Sequence, residues 1–312
     1  MRLFLFGIAL SLAAITAVSA EEAGSGHYIP GVSATLIDLQ PTEPGFIAAV
    51  NAFHYHGDAE GSLQVLDGGL LTNGLDAEVS AVTIGGFYTF DEKIANAFVS
   101  VGMVVPFMDL KVDATVRTPF GDFPATDSDS GIGDITLIPA MLAWKTGNMR
   151  VGVSLPVTLP TGSYKPGRLA NIGKNYLTVD PTVAVSYSNP TNGFNASGFV
   201  GLTMNTENTA TNYQSGSLLH MEGSVQQLLP LGPGYVGIGA EAFYLQQVTD
   251  DEGAGARLGA FRGHSLGIGP VATYLLATEK VSAMIEAKWL PELAVKNRVQ
   301  GDFFWLKGVI QF

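Results

Sequence analysis

The sequence predicts an all-β fold: a transmembrane antiparallel β-barrel of about twelve strands. Three observations predict it. Hydrophobic residues make up 46% of the chain and charged residues only 14%, against roughly 25% charged in an ordinary soluble domain. Beyond the N-terminus no apolar run reaches the ~18 residues that a spanning helix needs; the nearest, 94–108, contains Asn96 and Ser100 and stops at Asp109. Instead, segments of about ten residues alternate in polarity and are separated by connections that are alternately short and long. Hydrocarbon satisfies no backbone N–H or C=O, so a chain without spanning helices crosses a bilayer only as a closed barrel.

The elements follow in chain order. Arg2, the apolar run Leu3 to Val18 and the small residues Val18-Ser19-Ala20 before Glu21-Glu22 have the layout of a secretory signal peptide. Residues 1–20 are therefore expected to be cleaved, residues 21–44 to form a periplasmic lead-in or plug, and residues 45–312 to form the barrel. Strands are expected near 45–56, 76–90, 94–108, 132–145, 149–158, 178–188, 195–206, 217–229, 234–248, 262–276, 280–290 and 301–312. The alternation is plainest where Val281, Ala283, Ile285, Ala287 and Trp289 oppose Ser282, Met284, Glu286 and Lys288. Short turns are expected at 91–93, 146–148, 189–194, 230–233 and 277–279, and long loops at 57–75, 109–131, 159–177, 207–216, 249–261 and 291–300. Short periplasmic turns facing longer extracellular loops are the barrel arrangement.

Phe312 ends a run in which Ile310, Gly308, Leu306 and Phe304 share its parity. This residue is expected to close the barrel and to serve as the signal read by the barrel-assembly machinery. Aromatic residues near strand ends, namely Phe87, Tyr88, Phe90, Trp144, Tyr187, Phe199, Tyr235, Tyr274, Trp289 and Phe304, are expected to form the interfacial girdle.

Several classes of chemistry fall away. The chain has Cys 0, which excludes disulfides, a cysteine nucleophile and thiolate metal sites. A net charge of -12 without a basic cluster gives no footprint for nucleic acid. His264 and Ser265 are neighbours in a strand and point to opposite faces, so they do not form a base–nucleophile pair. His54 and His56 share a face but lack a third ligand. Asp127-Ser128-Asp129-Ser130-Gly131 with Asp134 holds part of a calcium-loop pattern, but the rest of the spacing is missing, and a solvated acidic loop is the simpler reading. No catalytic residue, metal site or cofactor is expected.

The lumen candidates are Arg150, Glu222, Gln226, Glu241, Glu286, Lys288 and Lys307, each opposite an apolar strand face. They either tune selectivity or fill and stabilise the interior. In the loop Pro160 to Arg168, residues Tyr164, Lys165 and Arg168 are candidates for an inward constriction; the competing reading, a surface loop whose cations meet lipopolysaccharide phosphates, weighs somewhat more.

The stretch from about Gly131 to Phe312 resembles the meta-pathway phenol-degradation family of outer-membrane proteins. The resemblance rests on Gly131-Ile132-Gly133-Asp134, Pro160-Thr161-Gly162-Ser163-Tyr164, Asn171-Ile172-Gly173, Asn212-Tyr213-Gln214-Ser215-Gly216, Gln247-Val248-Thr249-Asp250-Asp251, and Gly269-Pro270 before Tyr274. It implies a barrel in the outer membrane of a Gram-negative bacterium that takes up aromatic or other hydrophobic compounds, and it supplies no binding residues. The expected function is thus passive passage of small aromatic or hydrophobic solutes by a protein that is not an enzyme. Its partners would be outer-membrane lipid, lipopolysaccharide, the assembly machinery and the solute. The alternatives are a narrow general or ion-selective porin and a structural or adhesive barrel with a sealed lumen.

Overall fold

A computed structural model describes residues 26–32, 41–65, 70–256, 262–278 and 281–312. The signal-peptide expectation for 1–20 lies outside these residues. Fifteen strand segments follow one another: β1 (Gly45–Val65), β2 (Leu70–Ile94), β3 (Ala97–Thr118), β4 (Gly121–Ile132), β5 (Ile135–Thr146), β6 (Met149–Ser154), β7 (Val157–Leu159), β8 (Thr178–Val179), β9 (Thr182–Ser188), β10 (Phe194–Asn205), β11 (Leu218–Leu231), β12 (Gly234–Gln247), β13 (His264–Ala277), β14 (Ser282–Lys296) and β15 (Gln300–Gln311).

They build twelve wall strands, because β4 and β5, β6 and β7, and β8 and β9 are each one wall strand broken at two residues. Neighbours pair antiparallel throughout. The wall closes where β1 meets β15, from Ile47 opposite Gln311 to Asp58 opposite Gln300. Phe46 N donates to Phe312 O at 2.7 Å and Phe312 N to Phe46 O at 3.0 Å, with the two rings 5.7 Å apart. Closure pairs the first wall strand with the last, so neither is left as an open edge.

Alternation decides which side chains meet lipid. Val50, Ile84, Ile285, Leu306 and Ile310 point outward and are exposed, a cost in water but not in hydrocarbon. On the same outward parity, towards the long-loop end, the residues become His56 and Asp58, Asp76 and Glu78, Asp109 and Lys111. Ile285 lies at the middle of the apolar belt, level with Val50 and Ile84 through Gly308. Ile285→Arg is expected to lower stability by about 2–4 kcal/mol, and Ser80→Arg beyond the belt by about 0–1 kcal/mol; urea midpoints of the two variants refolded in lipid vesicles check this ordering.

Three of the expected long loops are strand. β1 and β2 run on through most of 57–75, β3 and β4 meet at a two-residue turn within 109–131, and β14 continues to Lys296. The period of two persists there, with Val112 and Ala114 buried inside and Lys111 and Asp113 outside. What changes is the outer face, which turns polar as the wall leaves the membrane, and polarity alone reads as loop. The turn expected at 91–93 is also strand; the reversal falls at Ala95 (φ 49) and Asn96 (φ 62), the two positive values of a type I′ hairpin. In the girdle, Phe87 and Phe199 face inward: Phe87 packs beside Ile47, Met284 and Val309, and Phe199 is buried in the central cluster.

Candidate functional site

The lumen is occupied rather than empty. A cluster of Phe53, Phe199, Leu218, Phe243, Leu290, Phe303 and Trp305 fills its centre around Tyr28. Tyr28 belongs to residues 26–32, which cross the lumen as a strap. At one end His27 bridges Thr178 Oγ1 (2.6 Å) and Asp134 Oδ2 (2.9 Å), on the broken wall strands. In the middle Tyr28 donates to Glu222 Oε1, which also accepts from Gly31 N at 2.6 Å. At the other end Trp305 Nε1 donates to Pro30 O (2.9 Å) and Lys307 Nζ to Val32 O (2.5 Å). Gly31 sits at φ +87, and a Cβ there would lie 2.6 Å from Trp305 Nε1, so this position takes only glycine without strain.

Beside the strap runs a charged network on β11, β12, β14 and β15. Lys288 Nζ lies 3.0 and 2.8 Å from the two oxygens of Glu241 and 3.3 Å from Glu286 Oε1, with all three side chains 0% exposed. Lys307 sits directly opposite Glu286 in the register. Ion pairs enclosed this fully are costly to break, because a charge left alone inside has no water to turn to.

On the other side of Tyr28 lies an open cavity of ≈ 220 Å³. Its wall is largely apolar, with Phe87, Val104, Ile138, Met141, Phe199 and Val309, interrupted by Asn51, Thr182, Asp180 and His220. The His220 ring stacks on Tyr28 with centroids 3.6 Å apart, and Nε2 reaches Asp180 Oδ1 at 2.7 Å. A second space of ≈ 210 Å³ opens at the short-turn end and is polar, lined by Glu43, Arg150, Ser186, Asn195, Ser197 and Gln311 among others.

The sequence candidates divide accordingly. Glu222, Gln226, Glu241, Glu286, Lys288 and Lys307 are all buried inside. Gln226 Oε1 accepts from Thr273 at 2.8 Å. Arg150 is half-buried in the short-turn vestibule, apart from the network. The loop candidates Tyr164, Lys165 and Arg168 have separate surroundings. Tyr164 OH accepts from Asn208 Nδ2 at 3.0 Å, Lys165 is exposed, and Arg168 clamps the loop to β4 through Asp127 (2.7 and 3.0 Å) and Asp129 (3.3 Å). The same loop does cover the barrel mouth, but with Leu169 and Ala170, which are buried against Leu75, Val112 and Val299. Asp127 and Asp129 are thus engaged by Arg168 and by the amides of Leu169, Ala170 and Ile172.

The Arg168 guanidinium is the main cause that pulls the Asp127 carboxyl down to about 2. A depressed folded-state value means that this clamp stabilises at all pH above the unfolded carboxylate value, near 4, and is lost as pH falls from about 4 to about 2. Protease cleavage of the loop 160–177 is expected to rise over that window, and Asp127→Asn is expected to show the low-pH cleavage rate already at neutral pH.

Sequence reasoning missed Tyr28, His220 and Asp180. His220 was within reach, since it shares the inward parity of Glu222, Ser224 and Gln226 on β11. Tyr28 has no such periodic signal.

A family model described as "Putative MetA-pathway of phenol degradation" matches residues 57–308. It takes in the end of β1 and all of β2 and β3, which lie outside the stretch that carried the resemblance in the sequence. No curated protein matches the chain. Among solved structures, the COG4313 outer membrane channel from Pseudomonas putida F1 superposes with a TM-score of 0.62 at 16% identity, covering 91% of this chain and 100% of that one. The transport unit of the autotransporter AIDA-I from Escherichia coli reaches 0.44 at 10% identity, over 89% of this chain and 93% of that one. The first superposition carries the fold, that of an outer-membrane barrel.

Proposed function

The chain belongs to the family described by that phenol-degradation model, and on that premise we propose that it is an outer-membrane conduit for passive entry of small aromatic or hydrophobic compounds. The observation that carries this reading is the cavity beside Tyr28. Its ≈ 220 Å³ falls below the roughly 300–1,000 Å³ of pockets for drug-sized ligands, which suits a solute of about one ring. Its lining suits the same solute, with aromatic and aliphatic faces for the ring and His220 with Asp180 as the polar group for one hydroxyl. Glu241, Glu286 and Lys288 are enclosed with one another beside the strap and offer an ion no open track. The Pseudomonas putida F1 protein that shares the fold is itself an outer membrane channel, in agreement with this reading.

Ala184 is buried at the cavity wall beside Phe199. Ala184→Phe is expected to fill the cavity and abolish protein-dependent phenol uptake by vesicles whose outer leaflet carries lipopolysaccharide, with the folded barrel retained. Unchanged uptake by the folded variant would separate the cavity from the transport path.

A sealed barrel is the second reading. It is favoured by the strap and the Leu169-Ala170 segment, which occupy the lumen and its mouth. It predicts no solute passage at all.

A further inference from the structure

Five inward-facing residues form one row across the wall. Met141 stands opposite Ser154, Ser154 opposite Thr182, Thr182 opposite Gly201, and Gly201 opposite His220. Met141, Ser154, Thr182 and His220 line the cavity beside Tyr28. Gly201 is the gap in the row. A Cβ there would lie 2.4 Å from His220 Nε2 and 2.8 Å from Thr182 Oγ1. The missing side chain is what lets the imidazole lie across β10 and reach Asp180 on the next wall strand. Neighbouring strands are about 4.8 Å apart, a span that a histidine side chain covers.

The ring is held twice. Nε2 lies 2.7 Å from Asp180 Oδ1, and Tyr28 stacks on the ring with centroids 3.6 Å apart. An ionised carboxylate only accepts, so Nε2 carries the proton of the neutral imidazole and Nδ1 keeps a lone pair. Nδ1 is buried without a hydrogen-bond partner among the described residues, and His220 is 0% exposed. The ring cannot turn to find a partner without giving up Asp180 and Tyr28. Its neighbours are biased the same way. Thr182 gives its hydroxyl hydrogen to Asp180 O at 3.1 Å, and Tyr28 gives its own to Glu222. The rest of the polar lining, Asn51, Thr136 and Ser154, either donates or accepts. A buried acceptor left without a donor costs free energy, and an occupant that brings an O–H removes that cost.

We infer that His220 is the specificity-determining residue of this cavity and that it selects by the direction of one hydrogen bond. An aromatic ring that donates from a hydroxyl is taken; the same ring carrying only an ether or carbonyl oxygen sets lone pair against lone pair and is rejected. Asp180 is a positioning residue that acts through His220 by fixing where its proton sits. This inference rests on the conduit reading and narrows its solutes from aromatic and hydrophobic compounds to hydroxyl-bearing aromatics.

The test compares p-cresol with anisole, which are isomers, so that size does not separate them, with phenol as the reference. Each is titrated into the refolded barrel in detergent, and the Ala184→Phe barrel serves as the blank for solute held by micelles. The parent is expected to bind p-cresol about five- to tenfold more tightly than anisole, the yield of roughly one net hydrogen bond. In protein with nitrogen-15 histidine, the Nδ1 resonance of His220 is expected to shift with phenol and p-cresol and to stay with anisole. His220→Phe keeps a ring on Tyr28 without either nitrogen and is expected to bring the affinity ratio to about one. It also leaves Asp180 without its partner; if that variant does not fold, the isomer comparison and the resonance on the parent decide alone. Equal affinity for the two isomers, as an Nδ1–H donor would give, overturns the inference, and so does a preference that survives in folded His220→Phe; with phenol still bound, either result leaves the conduit reading standing. A parent that neither binds phenol nor passes it into vesicles overturns both.

Discussion

Lys288→Met is expected to destabilise the barrel by about 3–5 kcal/mol, the usual result of removing one partner from a buried ion pair. The ammonium group sits between Glu241 and Glu286 with no exposure of any of the three side chains. Without it, the carboxylates of Glu241 and Glu286 share an enclosed interior in which, among the described residues, Lys307 is the cation opposite Glu286. Methionine matches the bulk of lysine, so the loss reports charge and not a cavity. The double variant Lys288→Met with Glu241→Gln removes the charge left over and is expected to recover much of the loss, because replacing a whole buried pair is often close to neutral. Urea midpoints of the refolded proteins read both numbers. Equal midpoints for the single variant and the parent would mean that the network does not carry its charges in the folded barrel.

Removing the strap is expected to have the largest effect on permeation. Residues 26–32 run from Asp134 and Thr178 on one side of the lumen to Trp305 and Lys307 on the other. A barrel of twelve strands lies between the roughly 8 whose side chains fill the interior and the 16–18 that leave an aqueous channel, so an extra chain segment decides whether water passes. Deleting 26–32 should convert a barrel with little conductance into one with a steady ohmic step in planar bilayers. Gly31→Val is the milder form. Its branched side chain is barred from φ +87 and meets Trp305 and Leu290, so it should raise the open fraction without shortening the chain. If neither variant conducts more than the parent, the strap does not control the axial path.

The wall was legible in the sequence because a barrel repeats one rule, inward and outward by turns, along every strand. That rule placed Glu222, Gln226, Glu241, Glu286, Lys288 and Lys307 inside and gave Ile310 and Phe304 to the outer face. It failed where polarity and secondary structure part company. The outer faces at Asp58, Asp109 and Lys111 read as loop, although the strands continue beneath them. It was silent on the strap, whose seven residues have no period and whose partners lie up to 275 positions away, as Trp305 does from Pro30. It was equally silent on Arg168, which looked available to a pore until its carboxylate partners Asp127 and Asp129 came beside it in the fold. The breaks within three wall strands had no periodic signal either; that Gly133-Asp134, Leu155-Pro156 and Asp180-Pro181 fall on neighbouring strands is a consequence of register.

The most direct test of the conduit itself is solute entry through the unmodified protein. Purified barrel in vesicles with an outer lipopolysaccharide leaflet would be given phenol and, separately, a sugar of similar size, with single-channel conductance recorded on the same preparation. The account predicts protein-dependent entry of phenol, exclusion of the sugar and little ionic conductance. Equal entry of both solutes with clear conductance would contradict it in favour of a general porin, and entry of neither would contradict it in favour of a sealed barrel.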